Sequence, residues 1–263
     1  MNRRAHYRTN VQGESLEERL RDLISSLYEV LMLPAFWTVL VVYYWLIALG
    51  VIAVGIVPAV LLTVVLLVLS IRAARKYLVI KKDIYRCRKG LEGERFVGNM
   101  VSKLSSTTNF VFHDIACKYG SDEKTWRNID HVIVSTKGIF AIDTKNWALL
   151  DREYNQADYI FDNGLLVNSA GELQDGVIEE VDQEAVFLEN KIKEWLGVQY
   201  PVKRVCIMIG AYIKYAKKDF SKYWIFSENG FVSFFENEHE CIPMNDVLRI
   251  QDNLRRYAEK IVK

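Results

Sequence analysis

Residues 128–146 read NIDHVIVSTKGIFAIDTKN, and this stretch decides the fold of the second half of the chain. Two apolar runs rich in β-branched residues, 129–135 and 139–144, are separated by Thr136, Lys137 and Gly138. Such runs around a short polar turn predict a β-hairpin. Charged side chains nevertheless occur inside both strands, so we expect the hairpin to have a role besides forming the hydrophobic core.

The turn leaves two registers open. A turn at 136–137 sets Asp130 opposite Asp143, whereas a turn at 137–138 sets Asp130 opposite Lys145. In both registers the three side chains share one face of the hairpin, because paired residues and neighbours two apart point the same way. His131 then points to the other face, and we interpret it as structural.

Two carboxylates and an ammonium group in an apolar hairpin are costly to desolvate unless they pair with one another or bind a cation. Carboxylate oxygens are the natural ligands of Mg²⁺, which also takes substrate phosphate. A nearby lysine can orient the attacking water or stabilise developing charge. Asp130, Asp143 and Lys145 therefore favour metal-assisted phosphodiester hydrolysis, and the alternative is a salt bridge without a catalytic role.

Outward from the hairpin, helices and strands alternate, which predicts one domain over 90–263. An Asn-Gly turn at 163–164 predicts a small inserted hairpin. Gly197 is placed to end a helix. The expected elements are a helix at 92–104, a strand at 109–116, the inserted hairpin at 159–161 and 165–167, a helix at 179–196, a buried strand at 202–209, a strand pair at 223–235 and a helix at 244–262.

The first third of the chain contains 42 consecutive residues, 30–71, without a charged side chain. One crossing of a bilayer takes about 20 helical residues, so two crossings are expected. Gly50, Gly55 and Pro58 suggest a turn between spans at 33–51 and 54–71. The alternatives are a buried soluble hairpin and a cleaved signal peptide, but the run is long and starts late for a signal peptide.

The flanks of this run predict its orientation. Segment 72–89 has eight basic residues and one acid, a net charge of +7, and basic residues accumulate on the cytoplasmic side. We expect a multi-pass protein of the cell (inner) membrane with both termini and the 90–263 domain in the cytoplasm. Four dispersed cysteines without a CxxC pair suit a reducing compartment.

Two polar segments flank the spans. Segment 1–32 has leucines at helical spacing and predicts an amphipathic helix leading into the membrane, along which it can lie. Segment 72–89 reads as a basic juxtamembrane linker. Its charge is explained by orientation, and contact with anionic lipid or with nucleic acid phosphates is the alternative.

The stretch 90–210 resembles the NERD domain, the nuclease-related domain of the PD-(D/E)XK nuclease superfamily. Three motifs carry the resemblance: Gly93-Glu94 at a helix start, Ile129-Asp130-His131, and the Gly-Ile-Phe strand that ends in residues 143–146, Asp-Thr-Lys-Asn. The family commonly has Glu at the Asp143 position and the superfamily pattern admits either acid, although the shorter side chain can shift metal geometry. Gln183 matches a family glutamine, although the Asn-Pro that precedes it in the family is absent.

The resemblance implies an α/β, restriction-endonuclease-like fold with a mixed central sheet flanked by helices, here after a two-helix transmembrane hairpin. It implies Asp130, Asp143 and Glu94 as ligands of Mg²⁺ or Mn²⁺, Lys145 beside the attacking water, and Gln183 as a further catalytic residue. The expected function is a membrane-anchored, metal-dependent nuclease that cuts DNA, or as a second choice RNA, at the cytoplasmic membrane face.

The alternative function is a catalytically inactive, membrane-attached module that binds nucleic acid or acts as a scaffold. In either case the expected partners are nucleic acid and the lipid bilayer. The net charge of +1 argues against strong nonspecific DNA binding by the chain. A second copy or another protein is therefore an expected source of affinity.

Overall fold

The computed structural model describes residues 11–50, 56–118, 126–147, 158–162, 164–216 and 222–261. These form two units. Leu16–Lys89 is a pair of long helices, and Gly90–Lys263 together with Met1–Ser15 is an α/β unit.

The helical pair consists of α1 (Glu14–Gly50) and most of α2 (Ile56–Ser102). Trp45 Nε1 donates to Thr63 Oγ1 at 3.0 Å, and the Cys87 thiol donates to the Leu16 carbonyl at 3.2 Å. These two contacts make the helices antiparallel and put the start of α1 level with residue 87. The predicted turn around 51–55 lies outside the described residues, but the helices on either side of it have the arrangement of a hairpin.

Both helices are long and apolar enough to span a membrane, as predicted. Their most apolar windows are 6% and 11% buried in the structure. A hairpin in the core of a soluble protein would be mostly buried, so this exposure argues against that alternative.

The helices are longer than the predicted spans. α2 has 47 residues and joins the second span, the basic segment 72–89 and the predicted helix at 92–104 in one uninterrupted helix. At 1.5 Å per residue it is about 70 Å long, more than twice the roughly 30 Å of a hydrocarbon core. The basic segment is therefore a helix that continues the second span.

After α2 the elements are β1 (Asn109–Lys118), β2 (Trp126–Ser135), β3 (Gly138–Lys145), β4 (Tyr159–Asp162), β5 (Leu165–Asn168), α3 (Asp175–Leu196), β6 (Val202–Met208), β7 (Ile213–Tyr215), β8 (Tyr223–Ser227), α4 (Phe231–Asn237) and α5 (Met244–Ile261). The α/β unit is built on a mixed sheet, as predicted, and the five strands of this sheet have the order β1-β2-β3-β6-β8. β1, β2 and β3 are antiparallel, whereas β6 and β8 add in parallel. A second sheet, β5-β4-β7, contains the inserted hairpin.

The β2–β3 hairpin adopts the first of the two predicted registers, with Ser135 opposite Gly138. The face that carries Val132 and Ala141 packs against α3 and α5. The face that carries Ile133 and Phe140 packs against α4 and the last turns of α2. The sheet is thus covered by helices on both sides, and its central hairpin is the most buried part of the unit.

The prediction of a strand pair at 223–235 is half wrong. Residues 223–227 form β8, which pairs in parallel with β6, but Phe231–Asn237 is the helix α4. Phe231 and Phe235 are one helical turn apart, so a helix turns both toward the sheet, where their ring centroids lie 6.3 and 5.3 Å from that of Phe140. Tertiary packing of these aromatics overrides their strand preference.

Candidate active site

The candidate site lies where the β2–β3 hairpin ends beside α2 and α3. Asp143 and Lys145 come from the end of β3, and their side chains are 7% and 17% exposed. Lys145 Nζ donates to Asp143 Oδ1 at 3.0 Å and to Glu180 Oε2 at 2.7 Å. The lysine head group is therefore fixed between two carboxylates, one from the sheet and one from α3.

Asp130 is fixed by the backbone of the neighbouring strand. Its Oδ2 accepts the Thr144 N–H at 2.8 Å, just beyond the last ladder pair of β2 and β3, His131 with Ile142. Burial raises the pKa of Asp130 well above its ordinary value, and the Glu94, Asp143 and Glu184 carboxylates raise it further. The hairpin thus brings Asp130 and Asp143 together, as its register predicts.

Glu94 approaches the same group of carboxylates from α2. Gly93 allows this approach, because a Cβ at that position would lie 2.9 Å from Asn146 Cβ at the end of β3. Burial first, and then the Asp114 and Asp143 carboxylates, raise the pKa of Glu94 to about 8. Glu94 is therefore protonated at neutral pH unless a cation neutralises the cluster.

The structure adds three acidic residues that the sequence did not single out. Glu180 on α3 bridges Lys145 and Arg127, whose Nη1 lies 3.0 Å from Glu180 Oε1. Glu184, one turn further along α3, is 4% exposed and raises the pKa of Asp130. Asp114 on β1 lies next to the His113–His131 pair and adds its charge to that around Glu94.

Asp114 has an unusual backbone for a strand residue, with φ at 55°. Its carboxylate accepts the Ser15 N–H at 2.8 Å and the Asn128 side-chain amide at 2.6 Å. A carboxylate at the N-terminus of a helix satisfies free N–H groups there, so Asp114 caps the first turn of α1 from another element.

The Gln183 and His131 side chains are hydrogen-bonded to groups other than the clustered carboxylates. The Gln183 amide donates to Glu179 Oε1 at 2.9 Å, on the outer side of α3. His131 is fully buried on the opposite face of β2, with its Nδ1 2.9 Å from His113 Nδ1. Burial lowers the pKa of His113 to about 4 and of His131 to about 3, so both rings are neutral. The position of His131 agrees with a structural role.

The excess of carboxylates fits a divalent cation. The Glu94 and Asp143 carboxylates raise the pKa of Asp130, and the Asp143 carboxylate raises the pKa of Glu94, as expected for like charges held close together. In the part of the chain that the structure describes, no group of three or more His, Cys, Asp or Glu side chains is arranged to hold a metal ion. Mg²⁺ is usually held by one or two carboxylates together with waters and substrate phosphate, so Asp130 and Asp143 are sufficient in number for Mg²⁺, whereas a zinc site takes three or four protein ligands.

The raised pKa of Glu94 makes the stability of the protein depend on pH. The folded state keeps a proton that the unfolded state releases between pH 4.5 and about 8. Stability without divalent cations is therefore expected to fall as pH rises from 6 to 8, by up to about 1.4 kcal/mol per pH unit for one such group. Thermal unfolding of the full chain in detergent micelles, followed by tryptophan fluorescence, measures this fall.

Saturating Mg²⁺ is expected to remove the fall, because the ionised carboxylates then have a cation. The matched control is Glu94→Gln, which has the same shape and does not titrate. Equal pH dependence of the wild type and of Glu94→Gln would contradict the assignment of Glu94 to the cluster.

The mixed sheet, with two acids and a lysine at the end of its central hairpin, defines an α/β domain of nuclease type. Residues 89–209 match the family profile of the nuclease-related domain, NERD, and the chain therefore contains a NERD domain. A stretch of 71 residues is 34% identical to an uncharacterized protein of Bacillus anthracis. That match covers 26% of this chain and 31% of the relative. No solved structure matches the chain.

Proposed function

We propose that this protein is a membrane-anchored, Mg²⁺-dependent nuclease that hydrolyses phosphodiester bonds of DNA, with RNA as a second substrate class. The observation that carries the proposal is the group formed by Asp143, which is buried, and Asp130 and Lys145, which are half-buried, inside a NERD domain. Taking two acids and a lysine out of water is costly, a buried ion pair contributes little to stability, and strongly perturbed titratable groups cluster at functional sites.

In this proposal Asp130, Asp143 and Glu94 hold Mg²⁺ or Mn²⁺. A bound metal would supply a water that is easier to deprotonate and positive charge beside the phosphate. In the hydrolysis the water oxygen would bond to phosphorus, the bond from phosphorus to the leaving oxygen would break, and the proton lost by the water would pass through solvent to the leaving oxygen. The role that the resemblance implies for Gln183 stays a prediction, since its amide pairs with Glu179 in the structure.

Lys145 acts as a cation and a hydrogen-bond donor. Burial alone would lower the pKa of Lys145, but the Asp143 carboxylate, Cys206 and the Glu180 carboxylate outweigh burial and raise it. The side chain stays protonated at any physiological pH, so it cannot serve as the general base. It can orient the attacking water and stabilise negative charge on the phosphoryl oxygens, while Glu180 positions it from α3.

The hairpin supports the proposed location, a multi-pass protein of the cell membrane with its NERD domain in the cytoplasm. Leu16 and Cys87 are in contact, so the chain enters and leaves the hairpin at the same end. That end carries the basic segment 72–89, and basic flanks stay on the cytoplasmic side.

Cys241 offers a test of this orientation, because it is exposed while Cys87, Cys117 and Cys206 are buried. A membrane-impermeant maleimide is expected to label Cys241 in inverted membrane vesicles and not in intact spheroplasts. The variant Cys241→Ser controls for the other thiols. Labelling in intact spheroplasts would place the domain outside.

One observation favours the second candidate, an inactive module that binds nucleic acid or acts as a scaffold. The carboxylates are engaged with protein groups, Asp130 with the Thr144 N–H and Asp143 with Lys145, and the described residues contain no ready-made cluster of three metal ligands. An inactive module would bind nucleic acid or a protein equally well with and without Mg²⁺.

The purified full chain distinguishes the two. It is incubated with supercoiled, linear and single-stranded DNA and with RNA, in Mg²⁺ or Mn²⁺ and then with a chelator. We expect cleavage of at least one substrate that stops when the metal is removed. Binding without cleavage of any substrate would select the inactive module.

A further inference from the structure

A stripe of basic side chains runs along one face of α2 beyond the apolar run. Its members are all exposed: Arg72, Arg75, Lys76, Lys82 and Arg86. At 3.6 residues per turn they fall within a sector of about 120° of the helix surface. Val79 and Asp83 share the sector, and Asp83 makes a long contact of 3.9 Å with Arg86. The stripe therefore keeps a net positive charge.

The stripe faces away from α1. The side of α2 that packs on α1 is marked by half-buried or buried residues at helical spacing, Ala73, Tyr77, Ile80, Ile84 and Cys87, and Cys87 contacts the Leu16 carbonyl. This side lies about 120° from the centre of the stripe. Two further exposed basic residues, Lys81 and Arg88, lie about 170° from that centre, on the other side of the helix.

Part of the stripe lies beyond the reach of lipid headgroups. The contacts of Trp45 with Thr63 and of Leu16 with Cys87 put Glu29, the last charge before the apolar run of α1, about level with Arg75 or slightly beyond it. Both helices thus leave the apolar zone near that level. Lys82 and Arg86 follow Arg75 by about 10 and 16 Å along the axis, whereas the headgroup layer is about 5 to 8 Å deep.

We propose that this stripe binds the phosphates of a nucleic acid strand that runs along α2. Arg72, Arg75 and Lys76 lie at headgroup depth, but Lys82 and Arg86 need a polyanion that extends away from the membrane. The stripe is about 21 Å long, which matches about six phosphates of one DNA strand at 3.4 Å each. A membrane protein that binds DNA in this way keeps its substrate beside its own anchor.

The orientation of basic residues in the cytoplasm does not by itself explain the stripe. Basic residues stay on the cytoplasmic side according to their number near a span, and this rule does not depend on which face of the helix they occupy. Five of the eight basic residues of segment 72–89 nevertheless share one third of the surface. Charge on one face is the arrangement that contact with a linear polyanion requires.

The test compares two charge reversals at the same height on opposite faces. The full chain carrying Asp143→Asn is reconstituted in zwitterionic nanodiscs with a chelator present, so that no substrate is cut. The stripe variant adds Lys82→Glu and Arg86→Glu, and the matched control adds Lys81→Glu and Arg88→Glu. Binding of a fluorescent 30-nucleotide DNA, single-stranded and duplex, is measured by anisotropy over a series of salt concentrations.

The stripe variant is expected to bind DNA at least about tenfold more weakly, and the slope of log affinity against log salt to fall by about 1.5 to 2. The control is expected to stay within about twofold of its parent. Equal weakening of both variants would show general electrostatics and overturn the proposal. Unchanged DNA binding by the stripe variant would show that the stripe faces lipid or solvent, and this result would also overturn the proposal.

The inference rests on the proposed membrane insertion, which elution of the protein together with the nanodiscs checks separately. It does not rest on catalysis, because binding is measured in a background without Asp143. Absence of cleavage in the wild type would therefore refute the proposed nuclease activity but not DNA binding by the stripe. Absence of DNA binding in the discs would refute only the binding by the stripe.

Discussion

Replacing Lys145 with methionine is expected to lower the rate of DNA cleavage by at least about a hundredfold, the effect of removing one preorganised donor from a site of charge development. Methionine keeps most of the apolar stem and removes the ammonium group that contacts Asp143 and Glu180. The two carboxylates lose their common partner, but Mg²⁺ can take its place. Cleavage of labelled DNA measures the rate, and titration of the protein with Mg²⁺ measures metal affinity.

The affinity for Mg²⁺ separates catalysis from folding in this experiment. We expect it to be unchanged or tighter in Lys145→Met, because a competing cation has been removed. Lys193→Met, an exposed lysine on α3, is the matched control and should keep wild-type activity. Activity within tenfold of the wild type would contradict the role given to Lys145, and simultaneous loss of activity and metal binding would show a structural role.

Replacing Asp130 with asparagine is expected to weaken Mg²⁺ binding at least about tenfold and to lower cleavage about a thousandfold, since a metal ion contributes several kcal/mol to the transition state. The asparagine carbonyl oxygen can still accept the Thr144 N–H, so the end of the hairpin keeps its hydrogen bond. The change therefore removes charge and little else.

Isothermal titration with Mg²⁺ and the cleavage assay together check this expectation. Asp252→Asn, the same substitution at an exposed position of α5, controls for the change in net charge. Unaltered metal affinity in Asp130→Asn would remove Asp130 from the metal site, whatever happened to the rate.

Local sequence patterns predicted most of the architecture because the relevant forces act between near neighbours. The β2–β3 hairpin and its shared acidic face follow from β-branched alternation around a two-residue turn. Gly197 ends α3 with φ at 75° and its N–H bonded to the Lys193 carbonyl, as its position in the sequence predicts. The uninterrupted apolar run likewise predicted two membrane-length helices.

The contribution of α3 to the site was not predictable in the same way. The packing of α3 on the sheet determines which side of the helix contacts Lys145. The helical repeat alone does not decide between Glu180 and Gln183, because they lie on neighbouring sides of α3. The structure puts Glu180 on Lys145 and turns the Gln183 amide to Glu179. Packing of Val177, Val181 and Leu188 against the sheet fixes that choice.

The position of Asp114 near the site could have been predicted from the pairing of β1 with β2. The sequence reads His113-Asp114 on β1 and Asp130-His131 on β2, and the antiparallel register that pairs His113 with His131 continues as Ile115 with Ile129, so Asp114 and Asp130 occupy the position between these two pairs. Recognising β1 and β2 as partners would have placed Asp114 near the site. Its contact with Ser15 comes from a distant part of the chain and has no such local signal.

The proposed cleavage of DNA by Asp130, Asp143 and Lys145 is tested by incubating the purified full chain and its Asp143→Ala variant with supercoiled plasmid DNA in Mg²⁺. We expect nicked or linear product from the wild type, no product when a chelator is added, and no product above background from the variant. Equal cleavage by the two proteins, or no cleavage of any substrate by the wild type, would contradict it.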